Sequence, residues 1–517
     1  MVPVAFAGCF GWFHPPAAPG GDVAALLCPG LGQDGSTGYR PFRLLADRLA
    51  AAGYPALRFD YPGTGDSCDT DAADLWTAWL DSIGRALDWL AAQAGTRRVV
   101  LFGLRIGALL AAQAAARRGD VAGLALFAPV ARGRSYLGQL AVEARLRGGA
   151  AADGSLTAGE LRLSRATQLR LREANLAATA IAPACRVALW PADDTPALAA
   201  SVDAWRARGV AVAAADFAGL EALLRPTQQA DEPPPDFTGV MAWLREALPG
   251  RECAAAPPLP AAAVLTPRGC IEQALRFGGD GHLRGILCRP AGDAPPGLAV
   301  VMANAGGNPH HGVARFSVEL ARRLARAGIA SLRIDFAGLG DSRNSAADDG
   351  PTDVFGVDRR GDMCAAIDRL EQLGYRRFAA FGHCSGAYHA LQAGLAETRF
   401  GTLVLVNLPW LTLRHETPGP ASIARRSLAA LAQSATRVLF LFSGGDAGLK
   451  QFERHFGPRG ASLPAAPAPT LGAGAGPFAV TIGADWDHDL MQAGMREEAG
   501  RHLLDFLAAQ PALPVPA

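Results

Sequence analysis

The sequence predicts an α/β protein of two tandem domains, each a mostly parallel sheet covered by helices. Three observations support this fold class. The chain has 517 residues, a length that fits two ordinary domains. Half of its residues are hydrophobic, so each domain can bury a large core. Short apolar runs alternate with amphipathic helical stretches, which is the pattern of parallel strands joined by crossover helices.

The two halves of the chain follow one plan. Residues 57–67 (LRFDYPGTGDS) have a counterpart at residues 332–342 (LRIDFAGLGDS), at an offset of 332 − 57 = 275 residues. Segments that begin at residues 25 and 44 have counterparts at the same offset. Because order, spacing and residue types agree, we infer two copies of one fold.

Domain boundaries follow from the composition. We expect a first domain at residues 1–248 and a second at residues 268–517, packed on each other. Residues 249–267 are rich in Ala and Pro and almost uncharged, which predicts an interdomain linker. Residues 131–180 are predicted to form a helical insert where a cap would cover the strand ends; a partner-binding surface is the alternative.

The individual elements are predicted from periodicity and turn signals. The first domain should contain strands at 23–28, 56–60, 98–102, 123–128, 185–190 and 209–215, with helices at 40–52, at 72–94 and from 106. The second should contain a hairpin around 278–281, a short cap at 411–435, a low-complexity loop at 461–476 and a closing helix at 493–508.

One turn in the second domain carries a reactive side chain. Residues 377–381 form a short apolar strand, and a helical stretch begins at Ala387. Between them, the sequence GHCSG has the strand–turn–helix layout of a nucleophile elbow, with Cys384 at its apex. Gly382 and Gly386 are expected there because larger side chains would collide in so tight a turn. The apex residue must accept a strained backbone that presents its side chain above the sheet.

Cys384 needs a base and a positive local field, because a thiol is mostly protonated near neutral pH. The helix N-terminus of the elbow favours the thiolate. His488, which follows an apolar strand and precedes the last helix, is the candidate base. Asp446, after the apolar run 438–442, would orient the imidazole, with Asp487 as the competing acid.

Backbone N–H groups are the predicted oxyanion donors. One is that of Ser385, next to the nucleophile, and the other belongs to Ala305 or Gly306 in the glycine-containing loop 304–307.

The first domain contains a degenerate elbow, Gly103 to Gly107, with Arg105 at its apex. A guanidinium stays protonated at ordinary pH and cannot act as a nucleophile. His14 is the only histidine before residue 282, so this domain also lacks a base after its last strand. We interpret the domain as a pseudo-enzyme in which Arg105 either clamps a carboxylate or phosphate or forms a salt bridge. Its candidate partners, of which the first two roughly fill the acid position, are Asp193, Asp194 and Glu221.

The elbow, the 304–307 loop, Asp446 and His488 resemble the α/β-hydrolase superfamily over most of the chain, in the superfamily's order of nucleophile, acid and base. The Cys-type elbow, the SGGDAG segment around Asp446 and the Asp487–His488 pair look most like the exosortase-A-associated hydrolases.

These residues predict an acyl-transfer enzyme that acts on an ester or thioester through a Cys384 acyl-enzyme, by hydrolysis or by transfer. The substrate would be a small molecule, either free or attached to CoA or a carrier protein. Two alternatives stay open. One is an inert scaffold of two hydrolase folds, with His488 remote from Cys384; the other is a dienelactone-type lactone hydrolase.

Composition excludes several other classes. The chain has 49 basic and 48 acidic residues, which argues against a broad nucleic-acid surface. Its nine scattered cysteines favour a reducing compartment over a disulfide framework. No apolar run reaches the length of a membrane span, so a cytoplasmic protein is expected. We expect no cofactor and no metal, because His383 and the pair His310–His311 have no accompanying ligand cluster. Asp335 and Asp341 are interpreted as loop-shaping.

Overall fold

The computed structural model describes residues 1–17, 21–95, 98–149, 153–193, 195–227, 233–249, 263–292, 297–344, 353–354, 356–409, 422–434, 436–464 and 476–509. The chain folds into two compact units, Met1–Pro267 and Arg268–Asp348 with Thr352–Ala517. Residues 250–262 of the predicted linker, 411–421 of the predicted second cap and 465–475 of the predicted loop lie outside the described residues.

The first unit is built from alternating strands and helices. Its strands are β1 Val2–Phe6, β2 Cys9–His14, β3 Val23–Cys28, β4 Ala56–Phe59, β5 Arg98–Leu104, β6 Val121–Phe127, β7 Leu156–Ala158, β8 Leu161–Leu163, β9 Arg186–Trp190 and β10 Ala211–Ala214. Its helices are α1 Gln33–Ala51, α2 Leu75–Ala94, α3 Ile106–Arg117, α4 Gly133–Leu146, α5 Arg165–Glu173, α6 Pro196–Ala207, α7 Leu220–Leu223 and α8 Thr238–Ala247. The main sheet has the order β1-β2-β4-β3-β5-β6-β9-β10, and β7 pairs with β8.

The second copy repeats this architecture. After the short strand β11 Val264–Leu265, its strands are β12 Cys270–Phe277, β13 Leu283–Pro290, β14 Leu298–Met302, β15 Ala330–Asp335, β16 Arg377–His383, β17 Phe400–Val406, β18 Arg437–Ser443 and β19 Phe478–Gly483. Its helices are α9 Phe316–Arg326, α10 Arg360–Gln372, α11 Ser385–Ala396, α12 Ile423–Gln433, α13 Ala447–Phe456 and α14 Ala493–Ala508. Within this unit the sheet runs β12-β13-β15-β14-β16-β17-β18-β19.

Parallel pairing in the second sheet determines where a site can form. β14, β16, β17, β18 and β19 pair in parallel, so their carboxyl ends meet at one edge of the sheet. Both faces are covered by helices, and the strands are accordingly buried and mostly apolar. Loops that leave this edge are therefore the place where polar side chains converge.

The predicted fold class is confirmed. The predicted hairpin is present as β12 and β13, and the closing helix α14 covers the predicted residues 493–508. The prediction for 131–180 was only partly right, because the insert holds the hairpin β7–β8 between its two helices. Gly159, with φ 58°, makes the turn of that hairpin. Tyr136 of α4 donates a hydrogen bond to the carbonyl of Leu31 (3.4 Å), which places the insert over the loop after β3.

No helix in the described part of the chain is both long enough and apolar enough to cross a membrane.

Candidate functional site

The predicted elbow of the second unit lies at the end of β16. Cys384 has φ 52° and ψ −124° and is the N-cap of α11, a backbone conformation that is strained for any residue with a Cβ. Its N–H donates to the carbonyl of Val406 on the neighbouring strand β17 (2.9 Å). The thiol is not part of a disulfide and is half-buried. This geometry presents the sulfur at the carboxyl edge of the sheet, at the start of a helix.

Both flanking glycines are required by close backbone contacts. A Cβ added to Gly382 would lie 2.0 Å from the carbonyl oxygen of Gly386. A Cβ added to Gly386 would lie 2.4 Å from the carbonyl oxygen of Asn304, in the loop after β14. The elbow and this loop therefore touch through their backbones, which only glycine permits.

Replacing Gly386 with alanine is expected to lower the free energy of unfolding by about 1–3 kcal/mol, because the added methyl group overpacks against backbone that cannot move aside. Denaturant unfolding measures the change. Gly361→Ala is the matched control, because a Cβ at Gly361 in α10 has no atom within 4 Å. Equal stability of the Gly386→Ala variant and the wild type would contradict the proposed contact.

His488 and Asp446 are hydrogen-bonded to each other. Nδ1 of His488 lies 2.5 Å from Oδ2 of Asp446. This hydrogen bond, followed by one with the thiol of Cys384, raises the pKa of His488 to about 10. The His488 side chain is 43% exposed and that of Asp446 is 4% exposed, so the ring is open to a reactant while the carboxylate is shielded from water. The structure thus brings all three predicted residues together.

Asp446 rather than Asp487 is the carboxylate at the ring. Asp446 caps α13, and its Oδ1 accepts a hydrogen bond from the N–H of Gly448 (2.7 Å). Burial raises the pKa of Asp446, but the hydrogen bond and charge of His488, with backbone amides, outweigh this and lower the pKa overall. Oδ1 of Asp487 instead accepts from the N–H of Met491 (3.1 Å).

A buried polar network holds the loop that carries His488. The carbonyl oxygen of His488 accepts hydrogen bonds from Nε2 of His383 (2.7 Å) and Nδ2 of Asn407 (2.8 Å). Asn407 is also bonded to Ser443. Sequence reasoning left the role of His383 open and missed Asn407 and Ser443. The signal for all three is a polar residue at or directly after the end of a buried apolar strand.

One contact in the oxyanion loop bears on the choice between Ala305 and Gly306 as the donor. The N–H of Gly306 donates to Oγ of Ser385 (2.7 Å) and is occupied by that bond. The loop is tightened further by Asn308, whose N–H and side chain both donate to the carbonyl of Ala305 (3.1 and 2.8 Å). The N–H groups of Ala305 and Ser385 remain as the candidate oxyanion donors.

Asp335 anchors the loops beneath the site. It is fully buried, and its oxygens accept from Nδ2 of Asn304 (2.8 Å), from the N–H and Nδ1 of His310 (2.8 and 2.7 Å) and from the N–H of Asp341 (2.8 Å). Ligand atoms of His310, Asp335 and Asp341 lie within 4.8 Å of one another, a cluster that the sequence reasoning did not foresee. Because Asp335 and Nδ1 of His310 already bond protein groups, we interpret the cluster as loop-shaping.

The first unit keeps the frame of the elbow. Arg105 has φ 54° and ψ −118°, and a Cβ added to Gly107 would lie 2.1 Å from the carbonyl oxygen of Pro29. Of the predicted ion-pair partners of Arg105, the structure describes Asp193 and Glu221, and for both the prediction was wrong. Nε of Arg105 donates to Oδ2 of Asp34 (3.4 Å), in the first turn of the helix after β3, the strand next to β5. Asp194 lies outside the described residues.

Comparisons with known proteins agree with this architecture. Residues 24–183 match the family model described as serine aminopeptidase, S33. The chain has the α/β-hydrolase fold.

Three solved structures that are similar to parts of this chain carry hydrolase or esterase names. A putative dienelactone hydrolase from Klebsiella pneumoniae is 15% identical, with 47% of this chain and 99% of that chain covered and a TM-score of 0.34. An esterase domain from Rhodothermus marinus is 15% identical, with 46% and 97% covered and a TM-score of 0.33. An α/β serine hydrolase homologue from Coxiella burnetii is 18% identical, with 45% and 96% covered and a TM-score of 0.32. No curated protein matches the chain.

The family match falls on the α/β-hydrolase unit whose elbow carries Arg105. It includes β3 to α5 and ends before β9, so it does not include the unit with Cys384. The chemistry of the second unit therefore depends on its own residues.

Proposed function

We propose that the second unit is an acyl-transfer enzyme that forms an acyl-thioester on Cys384. One observation carries this proposal: the ring of His488 hydrogen-bonds the carboxylate of Asp446 and is close enough to Cys384 for the sulfur to raise the pKa of the imidazole. A scaffold protein has no need of a partly exposed imidazole between a buried carboxylate and a strained thiol. A nucleophile, a base and an orienting acid are the parts that acyl transfer requires.

The raised pKa of His488 suits a sulfur nucleophile. At neutral pH its imidazole is protonated in the folded protein, because Asp446 and the Cys384 sulfur both favour the cation. A cation beside the sulfur can give its proton to the group that leaves the substrate when the sulfur attacks.

The proposed reaction has two displacements. In the first, the Cys384 sulfur attacks the carbonyl carbon of an ester or thioester, forming a C–S bond. The bond to the alkoxide or thiolate leaving group then breaks, and the imidazolium of His488 protonates that group. In the second, His488 takes a proton from water or another acceptor, which attacks the acyl carbon and releases Cys384. The N–H groups of Ser385 and Ala305 would stabilise the negative oxygen in both steps.

Cysteine favours ester and thioester substrates with good leaving groups, either free or carried on CoA or a carrier protein. A thioester intermediate stays reactive toward acceptors other than water, so the same residues serve hydrolysis and transfer. The resemblance to exosortase-A-associated hydrolases belongs to this proposal and rests on the short motifs around Cys384, Asp446 and His488.

Intact mass spectrometry after incubation with p-nitrophenyl butyrate and with butyryl-CoA tests the proposal. We expect a butyryl adduct on the wild type and none on Cys384→Ala. Cys364→Ala is the matched control, because Cys364 is another partly exposed thiol of this unit and should be dispensable. An absent adduct on the wild type, or an equal adduct on Cys384→Ala, would refute the proposal. Inertness toward both reagents combined with turnover of small lactones would select the lactone hydrolase instead.

The first unit is proposed to be non-catalytic, because Arg105 replaces the nucleophile and pairs with Asp34. Arg105→Ala is therefore expected to leave the rate of acylation at Cys384 unchanged. The release of p-nitrophenol from p-nitrophenyl butyrate measures that rate. A large loss in this variant would show that the first unit takes part in the reaction.

A further inference from the structure

Two side chains hold the main-chain carbonyl of His488. Nε2 of His383, the last residue of β16, donates to it over 2.7 Å, and Nδ2 of Asn407, directly after β17, donates over 2.8 Å. Both donors come from the strand ends on which the elbow is built. They fix the backbone of the proposed base relative to the nucleophile, because His383 is covalently next to Cys384.

Asn407 is itself held in place. Its backbone has φ 47°, and its N–H donates to the carbonyl of Leu441 (2.8 Å). Its Oδ1 accepts from the N–H of Ser443 (2.7 Å), and its second Nδ2 proton reaches Oγ of Ser443 (2.9 Å). The Ser443 hydroxyl in turn donates to the carbonyl of Asp487 (2.7 Å). The carbonyls of two consecutive residues are therefore tied to the ends of three strands.

His383 is arranged to act as a neutral donor. Burial lowers the pKa of its ring, and its Nε2–H is used in the bond to His488. Its ring centroid lies 5.7 Å from that of His488. The charges of His488, Asp489 and Asp446 act on the His383 ring, and those of Cys384 and Asp446 act on the His488 ring. A neutral His383 fixes the loop without adding a positive charge that would oppose protonation of His488.

The first unit shows that the fold does not need this network. At the elbow offset of 384 − 105 = 279 residues, Leu104 replaces His383 and Ala128 replaces Asn407. Ala128 keeps the backbone geometry, with φ 42° and an N–H donated to the carbonyl of Trp190 (2.8 Å).

The ends of β9 and β18 also correspond, and the polar side chains of the network are again replaced in the first unit. Trp190 matches Leu441, an offset of 441 − 190 = 251 residues, so Ala192 stands in place of Ser443 and Thr195 in place of Asp446. Thr195 caps α6 as Asp446 caps α13. The first unit therefore retains the backbone arrangement of these strand ends. It does not carry the polar side chains of the network, and it also lacks the nucleophile and the base.

We propose that His383, Asn407 and Ser443 are positioning residues that hold the His488 imidazole against Cys384 and Asp446. This inference rests on the proposed role of His488 as the base. The three residues act through the backbone of the His488 loop and do not touch the substrate.

The test replaces His383 and Asn407 with the residues that the first unit carries at these positions. The variants are His383→Leu, Asn407→Ala and the double variant. Because the same frame accepts leucine and alanine there, the variants should fold, and thermal unfolding checks this. We expect each change to slow alkylation of Cys384 by iodoacetamide at pH 7 about tenfold, and both together about 10²-fold, since a misplaced catalytic group can cost that much. NMR titration of His488 should show its pKa moving down toward 6.5, the ordinary value.

A rescue variant separates positioning from general destabilisation. His383→Gln keeps a side-chain N–H donor and should recover most of the rate and of the His488 pKa. Unchanged alkylation and an unchanged His488 titration in folded His383→Leu and Asn407→Ala would overturn the inference, as would a His383→Gln variant no better than leucine.

The readouts also separate this inference from the proposed function. Alkylation and NMR report on the Cys384–His488 pair without any acyl substrate. If the wild type forms no acyl adduct but the variants shift both readouts, the proposed function fails and the positioning role stands. If the adduct forms and the readouts do not move, only the positioning role fails.

Discussion

Replacing His488 with alanine is expected to slow acylation of Cys384 by about 10²–10⁴-fold, the usual contribution of a positioned acid–base group. The variant loses the imidazolium beside the sulfur, which is the proton donor for the leaving group in this step. The loop should keep its place, because the hydrogen bonds that His383 and Asn407 donate to the carbonyl of residue 488 do not depend on the ring. The burst of p-nitrophenol from an activated ester measures the acylation rate.

The same variant has a pH signature in stability. The pKa of His488 is raised from 6.5 in the unfolded chain to about 10 in the folded one, so the folded state binds the proton more tightly. The resulting stabilisation is fully present below pH 6.5 and is lost as the pH rises through 10. The difference in unfolding free energy between the wild type and His488→Ala should therefore shrink between pH 6.5 and pH 10.

His502→Ala is the matched control, because His502 is a partly exposed histidine on α14 whose contact to Glu498 is a distant 3.9 Å. It should leave both the acylation rate and the pH dependence unchanged. An acylation rate of His488→Ala close to that of the wild type would show that another group serves as the base.

The sequence was most informative where the backbone alone dictates the residue. Gly382 and Gly386 were predictable because their neighbours' carbonyl oxygens leave no room for a Cβ. The elbow in the first unit followed from the same pattern, although its apex carries Arg105. Parallel strands with continuous apolar runs were equally readable.

The sequence was least informative where the direction of a side chain determines which partner it bonds. Asp446 and Asp487 both follow apolar strands, and only the cap of α13 aims one of them at His488. The partner of Arg105 depended on how the helix after β3 packs near the elbow, which no local pattern encodes. Gly306 could not be separated from Ala305 as a donor until the hydroxyl of the neighbouring Ser385 was located.

One hairpin was not predicted, although its turn contains a glycine that the sequence shows. The hairpin β1–β2 turns at Ala7 and Gly8, both with positive φ (47° and 79°), as a two-residue turn of this kind requires. Glycine at the second position was visible, but alanine at the first is an unusual choice for that conformation. The turn was therefore overlooked.

Asp446→Asn is expected to lower the acylation rate by up to about 10⁴-fold, by analogy with the loss of the orienting carboxylate in a catalytic triad. Asparagine retains an oxygen that can cap α13 through the N–H of Gly448, so the backbone should be preserved. It removes the negative charge that favours the imidazolium. The pKa of His488 should consequently fall from about 10 toward 6.5, since its hydrogen bond to Asp446 is the largest cause of the shift.

Asp487→Asn is the decisive comparison for this prediction, because Asp487 is adjacent to His488 in sequence and carries the same charge. Its carboxylate accepts from the N–H of Met491, whereas Asp446 bonds Nδ1 of the ring, so acylation should stay close to the wild-type rate. Burst kinetics and the NMR titration of His488 apply to both variants. If Asp487→Asn were the slower enzyme, the acid would have been assigned to the wrong strand end. The two variants together therefore test whether the side chain at the cap of α13 makes His488 a base.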